Sequence, residues 1–590
     1  MAANPHLAAN MTDKTTTSFM RSLCMGQIEQ DAVFPFPAMA AEQRDTLHEI
    51  TAALEDLLGP RTTAFRQWDV AGEMPAEFIE ELKSFGLFGL IIPEQYGGMG
   101  LGNMAYSRTL QEVGRYDASV AVTIGAHSSI GMRGLLLFGT EEQKQRYMPR
   151  LATGELIAAF CLTEPGAGSD AAAVKTTAVQ EGDHWVLNGS KLWITNGGIA
   201  GFFTVFARTG ASDAHGKMTA FIVTADMAGV STSPHEDKMG LRASSTTSVM
   251  FDNVKIPAGN LLGEPGKGFK VAMQILNSGR TGLGGGSVGG MKQLIGLATR
   301  QANERKTFGQ PIASYGAIKE KVGRMVVDCY TSEAVVTMVG GLIDGGYQDY
   351  AVEAAISKVY ATECLARTAD EALQIAGGNG FMRDYPYERI VRDCRINRIF
   401  EGTNEILRLF IALTAMNDVG SQLQELAASM KDVLHDPIKG FGVLSDYARK
   451  HAQLATGRGE TGKLQNLHEV IRPQGDAFEI EVRYLAQATD RILRKHGKNI
   501  VGKQFATKRL AEIMIDLFVL ACTLSRVQAA IDAKGADQVA REIDILHVFT
   551  REARVRMKQN FRRIDNNDDE LIKALAEDAF AAERFRWDTI

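Results

Sequence analysis

Cysteine is scarce in this chain: six residues in 590, far apart, with no CxxC pair among them. That spacing offers neither a zinc site nor a disulfide framework, and a reducing compartment fits it best. The eleven histidines contain no HExxH pair and no cluster at ligand spacing, so metal catalysis has little support. Also missing is an uninterrupted apolar run of the ~18 residues that would cross a bilayer. The longest apolar helix candidate, Ile513 to Leu524, is interrupted by Asp516 and reads as a buried core helix. Charge of one sign is weak as well: a net charge of −6 gives no global reason to bind nucleic acid or an anionic membrane. Met1 to Phe34 has no compact apolar stretch followed by a small-residue cleavage site, is poor in Arg, and carries Asp13, Glu29 and Asp31. We therefore expect neither a secretory signal nor a mitochondrial presequence. The expected location is cytoplasmic for a bacterial source, with possible membrane association. For a eukaryotic source with its presequence removed, it is the mitochondrial matrix or inner-membrane face.

What is present is ordinary globular usage, 45% apolar and 23% charged. A single core stops growing at roughly 250–300 residues, so three or four domains are expected. Residues 40–157 read as helical, as in Glu77, Phe78, Ile79, Leu82 and Phe85. Residues 158–265 change texture to short β-branched and aromatic runs bounded by Gly, Asn and Asp: Trp185 to Leu187, Phe203 to Ala207, Thr219 to Val223, Ser248 to Phe251. That pattern predicts an antiparallel sheet or barrel. Helical periodicity returns over 266–418, and 419–590 is a further helical domain. The fold class expected is mainly α with a central β-barrel.

Four strings invite a chemical reading. Gly284-x-Gly286-x-x-Gly289 spells a dinucleotide fingerprint, but it follows a helix and opens no βαβ unit, so close helix packing is the better account. Phe160-Cys161-Leu162-Thr163-Glu164-Pro165-Gly166-Ala167-Gly168-Ser169-Asp170 offers glycines that let main-chain amides approach an anionic group, together with two hydroxyls. Taken alone, an ordinary Gly-rich turn between domains is the favoured account. Trp193-Ile194-Thr195, after Gly189-Ser190-Lys191-Leu192, offers an aromatic cover for a planar ring and a hydroxyl for its edge; alone, Trp193 is a core residue. Glu401-Gly402-Thr403 places a carboxylate before a Gly-Thr break, with Thr403 as the cap of a helix beginning at Asn404. The plain alternative is a solvated acid at a helix start.

The last three strings, in this order and on a helical-β-helical background, resemble the acyl-CoA dehydrogenase family over about residues 40–415. The extra helical 419–590, Val33-Phe34-Pro35-Phe36-Pro37, and Leu136-Leu137-Phe138-Gly139-Thr140 look like its very-long-chain branch and the respiratory-complex-assembly relatives of that branch. The resemblance implies FAD as cofactor, acyl-CoA as substrate, a homodimer, and electron-transferring flavoprotein as acceptor. The activity implied is α,β-dehydrogenation to a trans-2-enoyl-CoA. The alternatives are a scaffold for respiratory-complex assembly and an acyl-CoA oxidase that uses oxygen.

Carried over by position, Glu401 is the implied base. Some members place the base on the earlier helix, but Asn277-Ser278-Gly279-Arg280 has Gly279 there. Phe160, Cys161, Leu162, Thr163, Gly168 and Ser169 resemble the flavin-contacting turn, with Ser169 also near the CoA arm. Trp193, Ile194 and Thr195 resemble the residues at the isoalloxazine. Arg305 and Phe308 look like the pair that reaches the neighbouring subunit's FAD, and Gln374, Ile375, Gly377 and Gly378 like the loop over its diphosphate. Thr403 and Glu405 flank the cofactor; Asn277, Arg280 and Gly402 are implied substrate contacts. Gly131 and Gly134, three apart on a predicted helix, resemble the pair that leaves room for the far end of a long acyl tail, with close helix packing as the alternative. Residues 438–463 carry Lys439, Arg449, Lys450, Arg458 and Lys463 against Asp446 and Glu460, a candidate for peripheral membrane contact or a solvated linker.

Overall fold

The computed structural model describes residues 17–210, 217–432 and 462–589. The candidate membrane segment 438–463 therefore lies outside the described residues except for its last two positions. The chain divides into two compact units, one containing Phe36–Ile406 and the other Thr17–Pro35 with Leu407–Ile590. The division falls within the helix Asn404–Ala415 rather than at 418. Thr17–Pro35 joins the second unit because Phe19, Met20, Leu23 and Val33 are buried there, and the Phe19 ring meets Phe518 at 6.2 Å between centroids.

The first unit opens with short amphipathic helices. Ala76–Ser84 buries Phe78, Ile79 and Leu82, the face its spacing predicts. Glu141–Ala152 starts on a reciprocal cap between Thr140 and Gln143. Between Ala118–Gly125 and Arg133–Phe138 the helix widens into one π turn, Ala126–Gly131.

The sheet that follows has eight strands: β1 (Ala158–Cys161), β2 (Thr177–Glu181), β3 (His184–Thr195), β4 (Phe202–Thr209), β5 (Lys217–Thr224), β6 (Val230–Thr232), β7 (Thr246–Pro257) and β8 (Leu261–Leu262). Their order is β6-β7-β3-β2-β4-β5-β8, with β1 on β4. It is not purely antiparallel as the run lengths predict, because β1 enters from the helical segment and pairs in parallel with β4.

Among the described residues six α-helices complete the unit: Gly268–Glu304, Gly316–Asp344, Ala351–Ala376, the single turn Gly378–Phe381, Tyr387–Arg395 and the start of Asn404–Ala415. Gly268–Glu304 is helical despite a glycine content that disfavours helix by about 1 kcal/mol per residue. Packing explains it. A Cβ on Gly289 would fall 2.0 Å from the Gln111 carbonyl oxygen, and one on Gly285 2.5 Å from that of Ser107. The helix Asn103–Tyr116 approaches too closely for side chains. Two stretches, Ala118–Phe138 and Gly316–Asp344, are apolar and long enough to cross a membrane by composition, although neither is an unbroken apolar run, and both are mostly buried within the fold.

The second unit is helical, with Arg472–His496, Gln504–Lys534, Ala540–Asp565 and Asp569–Ala582. Ile513 to Leu524 is the buried centre of Gln504–Lys534. Asp516 is tolerated there because Arg556 reaches it at 2.6 Å.

Candidate active site

The turn after β1 and the end of β3, read separately in the sequence, are tied together by a buried ion pair. Lys191 is 0% exposed, and its Nζ donates to Glu164 Oε1 (2.7 Å) and to the Leu162 carbonyl (3.2 Å). Glu164 also accepts the main-chain amides of Lys175 (2.5 Å) and Thr176 (3.0 Å). Burial alone would raise the Glu164 pKa, but Lys191 and these donors outweigh it and hold the carboxyl below its usual range. The Leu192 amide donates to the Thr163 carbonyl at 2.9 Å, completing the join.

Immediately beyond, the β3–β7 register slips between Lys191 and Ile194, and Trp193 takes a left-handed φ of 56°. Such a bulge re-aims a side chain. The indole is 63% exposed, so it is not the core residue that composition favours. Thr195, two residues on, lines the principal cavity. A Cβ on Gly166 or Gly168 would meet no protein atom, so packing does not account for either glycine, and Ser169 beside them is exposed. Phe160 is half-buried against Phe206.

Among the positions of the implied flavin site, Cys161, Leu162, Ile194 and Ile375 have buried side chains, so a contact there would be made by the main chain. Arg305, Gln374, Gly377 and Gly378 are exposed. Phe308 is 92% exposed at the tip of a hairpin, Lys306–Thr307 against Gln310–Pro311, where Phe308 (φ 52°) and Gly309 (φ 86°) both have positive φ. Two-residue hairpin turns of that kind favour Asn or Gly at the first central position. An aromatic held there, in solvent, is not explained by the fold of its own chain.

Glu401 adopts φ 57° and Gly402 φ 88°, and Thr403 Oγ1 caps the following helix by accepting the Ile406 amide at 3.3 Å. The left-handed step turns Glu401 inward. Its Oε2 is buried with no hydrogen-bond partner among the described residues, and the residue lines a cavity together with Thr195, Gly279 and Gly286. It is therefore not a solvated acid. Burial raises its pKa above the usual carboxylate value, with Arg280 and Lys358 opposing that rise. Arg280, also buried, donates to Asn277 Oδ1 at 2.6 Å; burial pulls its pKa down to about 10 and Glu401 pulls it back up. Gly279, the position of the alternative base, lines the same cavity. Gly402 offers its carbonyl to Lys358 rather than to the cavity, and Glu405 is exposed.

The cavity runs along the glycine-rich helix, walled by Gly279, Gly282, Gly286 and Gly290, and ends near the buried Asp117–Arg389 pair (2.6 Å). Only at Gly286 among these four would a Cβ meet no protein atom. The predicted pair Gly131 and Gly134 is not part of this wall. A Cβ on Gly131 would lie 2.8 Å from the Ala158 main chain, and one on Gly134 2.9 Å from Ile275 and Leu262. Both positions are closely approached by neighbouring protein atoms, which fits the close-packing alternative. The GxGxxG string is likewise split: Gly284 and Gly289 pack, whereas Gly286 opens to the cavity. Lys358, Asn404 and the Lys191–Glu164 pair are the polar residues that sequence reading did not single out. A lysine inside the apolar run Ala351 to Ala361 was the available signal for the first.

Comparison with known proteins agrees with this geometry. Family models described as acyl-CoA dehydrogenase N-terminal, middle and C-terminal domains match residues 40–155, 159–254 and 266–416, and one described as ACAD9/ACADV, C-terminal domain, matches 469–585. The chain is similar to the bovine mitochondrial very long-chain specific acyl-CoA dehydrogenase, at 41% identity across 95% of this chain and 86% of that one. It is also 36% identical to a probable acyl-CoA dehydrogenase of Bacillus subtilis, over 82% of this chain and 80% of the other. Among solved structures, an acyl-CoA dehydrogenase from Bacillus anthracis complexed with FAD superposes with a TM-score of 0.79 at 32% identity, covering 96% of this chain and 95% of that chain. Butyryl-CoA dehydrogenase from Megasphaera elsdenii gives 0.61 at 36%, covering 64% and 98%.

Proposed function

The chain belongs to the acyl-CoA dehydrogenase family, and from that premise we propose that it is an FAD-dependent oxidoreductase that desaturates long and very-long-chain acyl-CoA to trans-2-enoyl-CoA in fatty acid β-oxidation. The observation that carries this reading is the unpartnered carboxylate oxygen of Glu401 inside a long cavity with glycine walls. The α proton of a thioester is weakly acidic, so a base near neutrality is needed, and burial moves Glu401 in that direction. Glu401 takes the α proton, and its own main-chain amide is the proposed donor to the thioester carbonyl oxygen.

The residues present fit FAD. Phe160, Thr163, Gly168, Ser169, Trp193 and Thr195 supply an open turn, an exposed indole and a hydroxyl beside the cavity. When bound, FAD supplies the two-electron acceptor for the hydrogen on the β carbon. Arg305, Phe308, Gln374, Gly377 and Gly378 would serve the cofactor of a second copy, because Phe308 stands clear of its own chain; the functional unit is then a homodimer. Electrons pass on to electron-transferring flavoprotein. The acyl tail lies along Gly282, Gly286 and Gly290.

The test is an assay with C4 to C20 acyl-CoAs, with flavoprotein or oxygen as acceptor, on wild type and Glu401→Gln. Turnover should be highest on C16 or longer with the flavoprotein, and the Gln variant should lose ~10²- to 10⁴-fold, the range of general-base catalysis. Flavin bleaching by the Gln variant at the wild-type rate would overturn the reading.

A further inference from the structure

The left-handed step at Glu401 and Gly402 is held from behind. Residues with a Cβ avoid that region of φ, and such conformations persist only where surrounding structure over-determines them. Lys358, on the helix Ala351–Ala376, is 0% exposed, which is rare for a lysine unless its ammonium is fully used. Its Nζ donates to the Gly402 carbonyl (2.8 Å) and to Asn404 Oδ1 (2.8 Å). Asn404, also fully buried, is fixed in turn: its Nδ2 donates to Thr362 Oγ1 (3.1 Å) and Glu363 Oε1 (3.0 Å). The ammonium thus bridges the carbonyl just after the base to the first residue of the next helix.

We propose that Lys358 is a positioning residue for Glu401: its ammonium clamps the Gly402 carbonyl so that the Glu401 carboxylate stays aimed into the cavity, and its charge, with that of Arg280, tunes the proton affinity of that carboxylate. This rests on the reading of Glu401 as the base. The groups whose charges act on Lys358 are Glu401, Arg280, Glu363 and Glu405, and burial is the largest influence, bringing its pKa down to about 7. A positive charge there favours the ionised form of Glu401, so the acid limb of kcat/KM, which rises as Glu401 deprotonates, moves to higher pH when that charge is removed.

The experiment compares FAD-loaded wild type, Lys358→Met, Lys358→Gln and Glu401→Gln on C16 acyl-CoA, with kcat, KM, pH profile, FAD content and Tm measured for each. Removing both donor and charge in Lys358→Met should lower kcat about 10- to 100-fold, as misplacement of a reacting group does, with KM changed less than about 3-fold. It should also shift the acid limb to higher pH. Lys358→Gln keeps a donor for Gly402 without the charge, so it should recover much of kcat while its acid limb stays displaced. Should Lys358→Met not fold, the Gln variant decides: an acid limb at the wild-type pH overturns the proposal, as does unchanged kcat and profile in Lys358→Met. If Glu401→Gln remains active, the base assignment fails instead, so the two failures are distinguishable. A loss of kcat in Lys358→Met that tracks loss of FAD or Tm, with the acid limb unmoved, makes Lys358 merely structural and also overturns it.

Discussion

Two parts of the site share a backbone peculiarity and resolve it in opposite ways. Glu401 and Gly402 are left-handed and enclosed: the carboxylate faces an internal cavity, Arg280 and Lys358 set its electrostatics, and Lys358 clamps the adjoining carbonyl. Trp193 and Phe308 are left-handed and open, with 63% and 92% of their surfaces exposed among the described residues. Backbone strain of this kind costs on the order of 1–3 kcal/mol per residue and persists where function needs it. On the enclosed side the chain itself holds the strained residue in place. On the open side the large apolar rings make sense only against something added, which is where cofactor and second subunit are proposed.

The strongest test of that contrast is a double dissociation. Glu401→Gln should keep FAD and the dimer while losing turnover, whereas Phe308→Ala should leave the fold intact and lose FAD or the dimer, read from flavin absorbance and sedimentation. If Phe308→Ala behaves like Glu401→Gln, the open side is not an interface. A smaller effect is expected at the cavity wall. Gly286→Leu places a side chain where no protein atom stands, and it should cut C16 turnover about 10-fold or more relative to C8, within the range by which one to two extra methylenes discriminate in an apolar pocket. Smaller still, Gly134→Ala should lower stability by about 1–3 kcal/mol through overpacking against Ile275 and Leu262 and leave the C16 to C8 ratio unchanged. A changed ratio there would support a tail-pocket role for this glycine. The gentlest probe is pH. Because burial raises the Glu401 pKa above 4.5, kcat/KM should fall as pH drops through a midpoint higher than that of an exposed carboxylate, whereas Tm need not follow the same curve.

Much of this was legible because it depends on local chemistry. The Trp193 string, the turn from Phe160 to Asp170 and the Glu401-Gly402-Thr403 break are contiguous, and their residue types announce themselves in order along the chain. Spacing alone does not tell which atoms Gly131 and Gly134 face: Ala158 stands against the first, and Ile275 and Leu262 against the second. The role of Gly286 was hidden because neighbouring glycines in one string face different partners: Gly284 meets Val336, Gly289 meets Gln111, and Gly286 meets open space. The burial of the Cys161, Leu162, Ile194 and Ile375 side chains was likewise not legible, because it depends on what packs over each string.

By itself, then, the sequence determined the helical-β-helical order and the family strings, the one that carries the proposed base Glu401 included, since each is written in adjacent residues. Only the tertiary structure decided which glycines wall the cavity and that a lysine 43 positions before the base stands behind it, 2.8 Å from the Gly402 carbonyl. Those facts depend on how closely two helices approach and on the phase at which they meet, and neither quantity is contained in any single stretch of chain.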